Sequence, residues 1–208
     1  NDIWNEMSAR ELDPSTNVNF ESSHNSAVVI GAGPSVKKNH HLELLASSDY
    51  NGSIVCTDRM LAPILKAGIT PEKFPKFYVV TIDPAELLKK FYMDDIIRKY
   101  GSRINGIFSS VVHPNIVAKA RDSGIKIHWI HSLFDYNEGK KSFNQISGLI
   151  VRAKNHKNGL PAIQTGGNVG TASWFIAWKI LKCDTVGLIG LNHGWNEDDD
   201  WNEILAHS

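Results

Sequence analysis

Two short segments of the chain place glycines and small polar residues directly before a helical stretch. The first is Gly31-Ala32-Gly33-Pro34-Ser35, which follows a run of valine and isoleucine with strand character. A glycine turn at the end of a buried strand lets backbone N–H groups approach a phosphate, and the dipole of the next helix favours the same negative charge. Pro34 suits the first turn of that helix, and Ser35 offers a hydroxyl. The segment predicts a phosphate site, with a plain strand-to-helix turn as the alternative.

The second segment, "QTGGNVGTAS", has the same character. Gly166, Gly167 and Asn168 stand where a strongly apolar helix begins. Two helix termini opened by glycines in one domain can hold two ends of a nucleotide or a polyphosphate. A plain helix entry, with Gly170 allowing close packing, is the alternative here. Together the two segments favour a ligand that carries phosphate.

The first segment also resembles part of the dinucleotide fingerprint G-x-G-x-x-G. Val36 stands where the third glycine would be, so the fingerprint is incomplete. An acidic residue, Asp58, follows the second apolar strand, where a ribose-binding carboxylate would stand. A redox enzyme that binds a nicotinamide or flavin cofactor is therefore the minor alternative to other nucleotide-binding proteins.

The elements that position these segments form a regular alternation of apolar strands and amphipathic helices. The strands are rich in Val, Ile and Phe without strict alternation, which is typical of parallel strands buried on both faces. This pattern predicts an α/β fold: a Rossmann-like, doubly wound, mostly parallel sheet with helices on both faces and the first strand near its centre. Strands are predicted at 26–31, 53–57, 77–82, 105–110, 125–130 and 185–190, and helices at 37–48, 58–67, 84–100, 114–123 and 168–181.

The domain organisation follows from the same alternation. Residues 1–25 are polar and mixed, and we expect a short helix and loop that extend from the domain. We expect residues 26–208 to form one nucleotide-binding catalytic domain, with an insertion at about 132–157. Because ligands of such sheets bind beyond the carboxyl ends of the strands, both glycine segments are expected at one edge of the sheet.

The composition excludes several classes of partner. The 208 residues carry 22 basic and 22 acidic side chains, so the formal net charge is zero. A neutral chain is not typical of proteins that bind nucleic acid or anionic lipid. No apolar window approaches the ~20 residues needed to span a membrane, and the first residues do not resemble a signal peptide. We expect a cytoplasmic protein that binds a nucleotide and a small-molecule acceptor, but neither nucleic acid nor a membrane; a homo-oligomer remains open.

Three blocks of the sequence resemble the MptE-like family. They are "VVIGAGPSV", "VCTDRMLAPILKAGITPEKFPKFYVVTIDP" and "QTGGNVGTASWFIAWKILKCDTVGLIGLNHGW". The archaeal members of that family are 6-hydroxymethyl-7,8-dihydropterin pyrophosphokinases. The same pattern resembles the motif-associated glycosylation factors of flagellated bacteria and, more distantly, bacterial sialyltransferases that use CMP-sialic acid. The likeness extends from residue 26 to residue 195.

The resemblance implies a set of site residues at the ends of the predicted strands. In the family, two small-residue turns contact the nucleotide, and the second and third strands end in polar and acidic residues. The family's last strand usually ends in Gly-x-Asp, whereas this chain has Asn192 there, and an amide is a poorer Mg²⁺ ligand than a carboxylate. The matching positions are Gly31, Gly33, Pro34 and Ser35 in the first turn, Thr57, Asp58 and Asp83 at the strand ends, and Gly166, Gly167 and Asn168 in the second turn.

The reaction that the resemblance implies needs charge neutralisation more than a strong nucleophile. In diphosphate transfer from ATP to an alcohol, positioning and Mg²⁺ supply most of the catalysis. Asp83 is then the expected metal ligand. Arg59 can pair with phosphate oxygens, or cap the Asp58 turn at the surface instead. His193, directly after the last strand, can act as acid or base near neutral pH.

We therefore expect Mg²⁺-dependent transfer of diphosphate from ATP to a 6-hydroxymethyl dihydropterin. Two alternatives remain open. One is a glycosyltransferase that uses a nucleotide-activated acidic sugar, such as CMP-sialic or pseudaminic acid. The other is a nucleotide-binding protein without catalytic activity, which Asn192 makes plausible.

Overall fold

The fold is an open parallel sheet covered by helices on both faces. The computed structural model describes residues 3, 6–16, 25–133, 159–192 and 194. Within these ranges the strands are β1 (Met7–Ser8), β2 (Ser26–Ile30), β3 (Ser53–Thr57), β4 (Phe77–Thr81), β5 (Asn105–Ser109), β6 (Lys126–Leu133), β7 (Ala162–Gln164) and β8 (Thr185–Ile189). The α-helices are α1 (Ser35–Lys38), α2 (His41–Ser47), α3 (Leu61–Lys66), α4 (Asp95–Tyr100), α5 (Pro114–Asp122) and α6 (Val169–Lys179).

The strand order is β1-β6-β5-β4-β3-β2-β8, with β7 paired to β6. Each of these pairings is parallel, so the predicted α/β class and parallel sheet are confirmed. Among the described strands β2 lies next to the end of the sheet, beside β8, so the prediction of a central first strand is wrong. In this part of the chain, β3, β4, β5 and β6 lie on one side of β2, and β8 lies on the other.

Apolar side chains alternate between the two faces of the sheet, which explains why the strands lack a polar face. In β3, Ile54 and Cys56 face one cluster of buried side chains, and Val55 faces the other. The first cluster packs against α1 to α5 and the second against α6. Both faces of β3 are thus buried, as expected for a central strand of a parallel sheet.

Two predicted helices are interrupted in the structure. The stretch predicted at 37–48 forms α1 and α2, which are separated by His40 in a left-handed conformation with φ of 51°. The stretch predicted at 84–100 forms a 3-10 segment, Glu86–Tyr92, followed by α4. The Asp94 side chain caps α4 by accepting from the Ile96 amide. A left-handed residue interrupts the first predicted helix, and a side-chain cap restarts the second, despite the continuous apolar pattern.

The N-terminal extension takes part in the sheet. Its strand β1 pairs with β6, although two residues are too few to give a periodic signal. Apart from residues 132 and 133, which end β6, the insertion predicted at 132–157 lies outside the described residues. No helix in the described part of the chain has the length and apolarity that crossing a bilayer requires.

Candidate functional site

A cavity of about 730 Å³ opens at the carboxyl edge of the sheet. It lies beyond the ends of β2, β3, β4 and β8, where the direction of strand addition reverses at β2. This is the place where open α/β sheets bind ligands. The cavity is lined by Gly31, Ala32, Gly33, Pro34, Thr57, Asp58, Arg59, Ile82, Asp83, Pro84, Leu88, Phe91, Thr165, Gly167, Asn168, Val169, Gly170, Gly190, Leu191 and Gly194.

The first glycine turn, residues 31–35, is packed against the end of β8. The amide of Gly31 donates to the carbonyl of Ile189 at 2.8 Å, and the amide of Gly33 donates to that of Gly190 at 2.8 Å. A Cβ on Gly33 would lie 2.7 Å from the Gly190 carbonyl oxygen. The glycines of this turn are therefore required by a neighbouring strand, and their amides are already used.

Asn192 closes the same turn from the other side. Its Oδ1 accepts a hydrogen bond from the backbone amide of Ser35 at 3.3 Å. A Cβ on Gly33 would meet this Oδ1 at 2.6 Å. Asn192 and Ser35 lie beside the cavity without lining it. The amide at position 192 thus has a structural partner in the described residues.

The second glycine turn, residues 166–168, has a different geometry. Gly166 and Gly167 both lie in the left-handed region, with φ of 63° and 82°. A Cβ on Gly167 would meet no atom within 4 Å, so its backbone borders open space. Gly166 approaches the Thr171 side chain and does not line the cavity. A backbone of this shape is accessible to a ligand and needs glycine for its conformation.

The second turn leads into the 11-residue helix α6. Asn168 caps that helix: its Oδ1 accepts from the Thr171 amide at 2.9 Å, and its Nδ2 donates to Thr171 Oγ1 at 3.0 Å. The amides of Val169 and Gly170 open the helix, have no intrahelical partner and border the cavity. An anion there would meet the first amides of the helix and the positive end of the helix dipole.

Asp58 is a buried carboxyl group on the cavity floor, with a relative exposure of 5%. Its Oδ1 accepts from the backbone amide of Arg59 at 2.8 Å. The pKa of Asp58 is raised to about 6, mainly by burial and also by the charge of Asp83, against the lowering effect of hydrogen bonds from Arg59 and Thr81. Beside it, Thr57 Oγ1 is buried and has no hydrogen-bond partner in the described part of the chain. A buried orphan hydroxyl at a cavity points to a polar ligand atom.

Asp83 is exposed at the rim, after the end of β4. Its Oδ1 accepts from the Ala85 amide at 2.8 Å. Among the described residues, no three His, Cys, Asp or Glu side chains come together as a metal cluster. Mg²⁺ bound with phosphates commonly uses only one or two protein carboxylates, so a rim carboxylate beside a phosphate site fits that ion.

An apolar wall (Ile82, Leu88 and Phe91) forms the side of the cavity beyond β4. The guanidinium carbon of Arg59 lies 5.7 Å from the centre of the Phe91 ring, a cation–π distance. Burial lowers the pKa of Arg59, and the charge of Asp58 opposes that change. The wall gives a planar ring a surface against which it can pack. Its residues are absent from the sequence prediction because a continuous helix at 84–100 gives no reason for Leu88 and Phe91 to face a site.

The structure brings most predicted site residues to one cavity. Those that line it are Gly31, Gly33, Pro34, Thr57, Asp58, Arg59, Asp83, Gly167 and Asn168. His193 lies outside the described residues. The roles of all these residues in binding or catalysis stay predictions.

Comparison with known proteins places the chain in a family. A family model described as 6-hydroxymethylpterin diphosphokinase MptE-like matches residues 5–198. No curated protein matches the chain. Among solved structures, the MAf glycosyltransferase from Magnetospirillum magneticum AMB-1 is similar, with a TM-score of 0.56 and 15% identity over 87% of this chain. The chain corresponds to 25% of the length of that glycosyltransferase, and the likeness is one of fold. The match over residues 5–198 confirms the resemblance seen in the sequence: the chain belongs to the MptE-like family.

Proposed function

We propose that this protein is a transferase that moves diphosphate from ATP to the hydroxyl group of a 6-hydroxymethyl dihydropterin. The observation that carries the proposal is that one cavity contains both an open glycine turn at a helix N-terminus and an apolar wall for a ring. The description of the family model supports the same reaction.

The phosphate half of the cavity is formed by Gly167, Val169 and Gly170. Their backbone amides bind the phosphates of the nucleotide and orient the triphosphate toward β3. Arg59, at the border with the apolar wall, neutralises charge that develops on the transferred group. Asp83 would hold Mg²⁺, and the ion would supply charge neutralisation of the phosphates.

The acceptor half is formed by the apolar wall. A pterin ring that packs against Phe91 would extend its hydroxymethyl group toward Asp58 and Thr57. The hydroxyl oxygen attacks the β-phosphorus, and AMP leaves. Most of the rate enhancement then comes from holding the two reactants in line.

Glycosyl transfer from a nucleotide-activated acidic sugar is the second candidate. The fold shared with the MAf glycosyltransferase favours it. A panel of ATP, AMP, CMP, CMP-sialic acid and NAD, each with and without Mg²⁺, separates the candidates by thermal shift. ATP stabilisation that requires Mg²⁺, followed by AMP formation with the pterin, supports diphosphate transfer. Stabilisation by CMP-sialic acid alone supports glycosyl transfer, and nucleotide affinity without turnover indicates an inactive binding protein.

Replacing Asp83 tests the metal site. Asp83→Asn keeps an oxygen that can accept from the Ala85 amide, so the fold should persist. It removes a carboxylate ligand, and we expect the Mg²⁺-dependent part of ATP binding to disappear in titration calorimetry. Asp95→Asn, at an exposed carboxylate that does not line the cavity, is the matched control. If Asp83→Asn binds Mg²⁺–ATP like the parent, the metal is held elsewhere.

A further inference from the structure

Asp58 lies at the junction of the two halves of the cavity. It follows β3, which runs between β2 and β4. The glycine turns border the cavity on the β2 side, and the apolar wall lies beyond β4. Diphosphate transfer requires the β-phosphorus of ATP and the hydroxyl oxygen of the acceptor to meet between the two halves of the cavity. Asp58 forms the floor of the cavity at that point.

A chain of hydrogen bonds fixes the Asp58 carboxyl group. Thr81 donates to it from the neighbouring strand β4. Thr81 Oγ1 and Tyr92 Oη are 2.6 Å apart, and both residues are fully buried. Thr81 has a single hydroxyl proton, so when it donates to Asp58 the proton between Thr81 and Tyr92 belongs to Tyr92. The chain therefore runs from Tyr92 through Thr81 and ends in one donor to the Asp58 carboxylate.

We propose that Asp58 is the catalytic residue that accepts the proton of the acceptor hydroxyl, an inference that rests on the proposed function. The O–H bond of the alcohol breaks, and its proton joins a carboxylate oxygen of Asp58. The alcohol oxygen bonds to the β-phosphorus of ATP. The bond from that phosphorus to the oxygen bridging to the α-phosphate breaks with its electron pair, and AMP leaves. Asp58 then returns the proton to solvent.

Thr57 lies beside Asp58 and offers a hydroxyl group to the acceptor. Thr57 is next to Asp58 in the chain and lines the same cavity, and its buried Oγ1 has no hydrogen-bond partner among the described residues. A hydroxyl in that position can hold the oxygen of the acceptor alcohol while the carboxylate takes its proton. This partner accounts for a buried polar atom that the described residues leave unsatisfied.

The charged and titratable groups around Asp58 are consistent with a base that works near neutral pH. Burial raises the pKa of Asp58, the charge of Asp83 after β4 adds to that rise while no cation is bound to Asp83, and Arg59 lowers the pKa. Burial, with the charge of Asp58, raises the pKa of both Cys56 and Tyr92 well above their ordinary values, so both stay neutral. The lining residues that the two glycine turns contribute in the described part of the chain carry no titratable side chain. A base is most effective when its pKa lies near the working pH.

The direct test is Asp58→Asn, with ATP, Mg²⁺ and 6-hydroxymethyl-7,8-dihydropterin as the probes. The amide keeps an oxygen for the Arg59 N–H, which protects the turn. We expect kcat, measured as AMP release, to fall at least about 100-fold and the acid limb of the kcat–pH profile to disappear. The Kd for ATP should stay within about threefold of the parent value, while Asp95→Asn retains both quantities. A retained kcat overturns the inference. A loss of ATP affinity that matches the loss of kcat assigns Asp58 to ribose binding and overturns it too.

A second variant keeps the test decisive if Asp58→Asn does not fold. The pair Thr81→Val and Tyr92→Phe removes both hydroxyl groups of the chain with little change of shape, which leaves no buried hydroxyl unpaired. The ionised carboxylate loses its hydrogen bond, so the pKa of Asp58 rises and the acid limb should move to higher pH by about one unit. An unmoved profile overturns the inference.

The two proposals fail in different ways. A parent protein that neither binds ATP nor releases AMP removes the proposed function, and the inference falls with it. A parent that releases AMP while Asp58→Asn matches its rate and pH profile removes only the inference.

Discussion

The two glycine turns look alike in sequence and differ in what surrounds them. In the first, the amides of Gly31 and Gly33 donate to carbonyl groups of β8 and its continuation, and a Cβ on either glycine would meet the Gly190 carbonyl oxygen at 2.6 or 2.7 Å. In the second, Gly167 has a φ of 82° and nothing within 4 Å of its Cβ position. The first turn is closed by protein, and the second is open to the cavity.

The helices that follow the turns differ as well. The first turn leads into α1, which has four residues, and the second leads into α6, which has 11. Because the dipole of a helix and its row of free amides depend on aligned peptide units, the longer helix provides the better anion site. A glycine pair before a helix therefore indicates a ligand only when its amides are free and the helix is long enough.

Gly33→Ala should have the largest effect on stability. The φ of Gly33 is outside the left-handed region, so alanine can adopt the backbone, but its Cβ would overlap the Gly190 carbonyl and Asn192 Oδ1. We expect the free energy of unfolding in urea to fall by about 2–3 kcal/mol. Affinity for ATP in the folded protein should change little.

Gly187→Ala is the matched control for that substitution. Gly187 lies in β8, and its Cβ position is 3.9 Å from the nearest atoms, so we expect a change within about 0.5 kcal/mol. If Gly33→Ala keeps the parent's stability and loses nucleotide affinity instead, the first turn is the phosphate site and the contrast between the turns is wrong.

Gly167→Ala should show the reverse pattern. Left-handed φ makes alanine cost about 1 kcal/mol of unfolding free energy. The new methyl group would project into the cavity where phosphates approach the amides, so we expect the Kd for ATP to rise about tenfold, or about 1.4 kcal/mol. Titration calorimetry and urea unfolding measure the two effects separately.

Gly68→Ala carries the same backbone strain away from the cavity. Gly68 has a φ of 89°, has no atom within 4 Å of its Cβ position and does not line the cavity. It should lose about 1 kcal/mol of stability and keep its affinity for ATP. Equal affinity losses in Gly68→Ala and Gly167→Ala would show that strain alone acts at Gly167.

The sequence predicts the features that depend on neighbouring residues, and it does not predict those that depend on contacts between distant parts of the chain. Apolar runs and the residues that end them are local signals, so β2, β3, β4 and the polar residues Asp58 and Asp83 are placed correctly at one edge of the sheet. The position of β8 beside β2 depends on pairing between residues 159 positions apart, such as Ser26 and Thr185, and no local pattern contains it.

The apolar wall is a second feature that the sequence does not predict. Leu88 and Phe91 have helical spacing, but the Asp94 cap ends the pattern and leaves Glu86–Tyr92 as a 3-10 segment over the cavity. A sequence also does not show whether a backbone amide is hydrogen-bonded. Gly33 and Gly167 have similar neighbours in the sequence. Only the fold shows that the Gly33 amide donates to Gly190 and that the turn at Gly167 is open.

Asn168→Asp should have the smallest effect on ATP affinity, and it should weaken binding without lowering stability. Asp is as good an N-cap as Asn, and its charge suits the helix N-terminus. The Thr171 amide keeps its acceptor, and the Thr171 hydroxyl, which accepts from Asn168 Nδ2, can donate to the carboxylate instead, so thermal stability should be equal or higher. The same charge borders the cavity, where it repels phosphate, and we expect the Kd for ATP to rise about threefold at low salt, less as salt screens it. Asn168→Ser, which keeps a capping oxygen without the charge, should bind ATP like the parent. Tighter or unchanged ATP binding by Asn168→Asp would mean that the phosphates do not approach α6, and the open turn would then serve another part of the ligand.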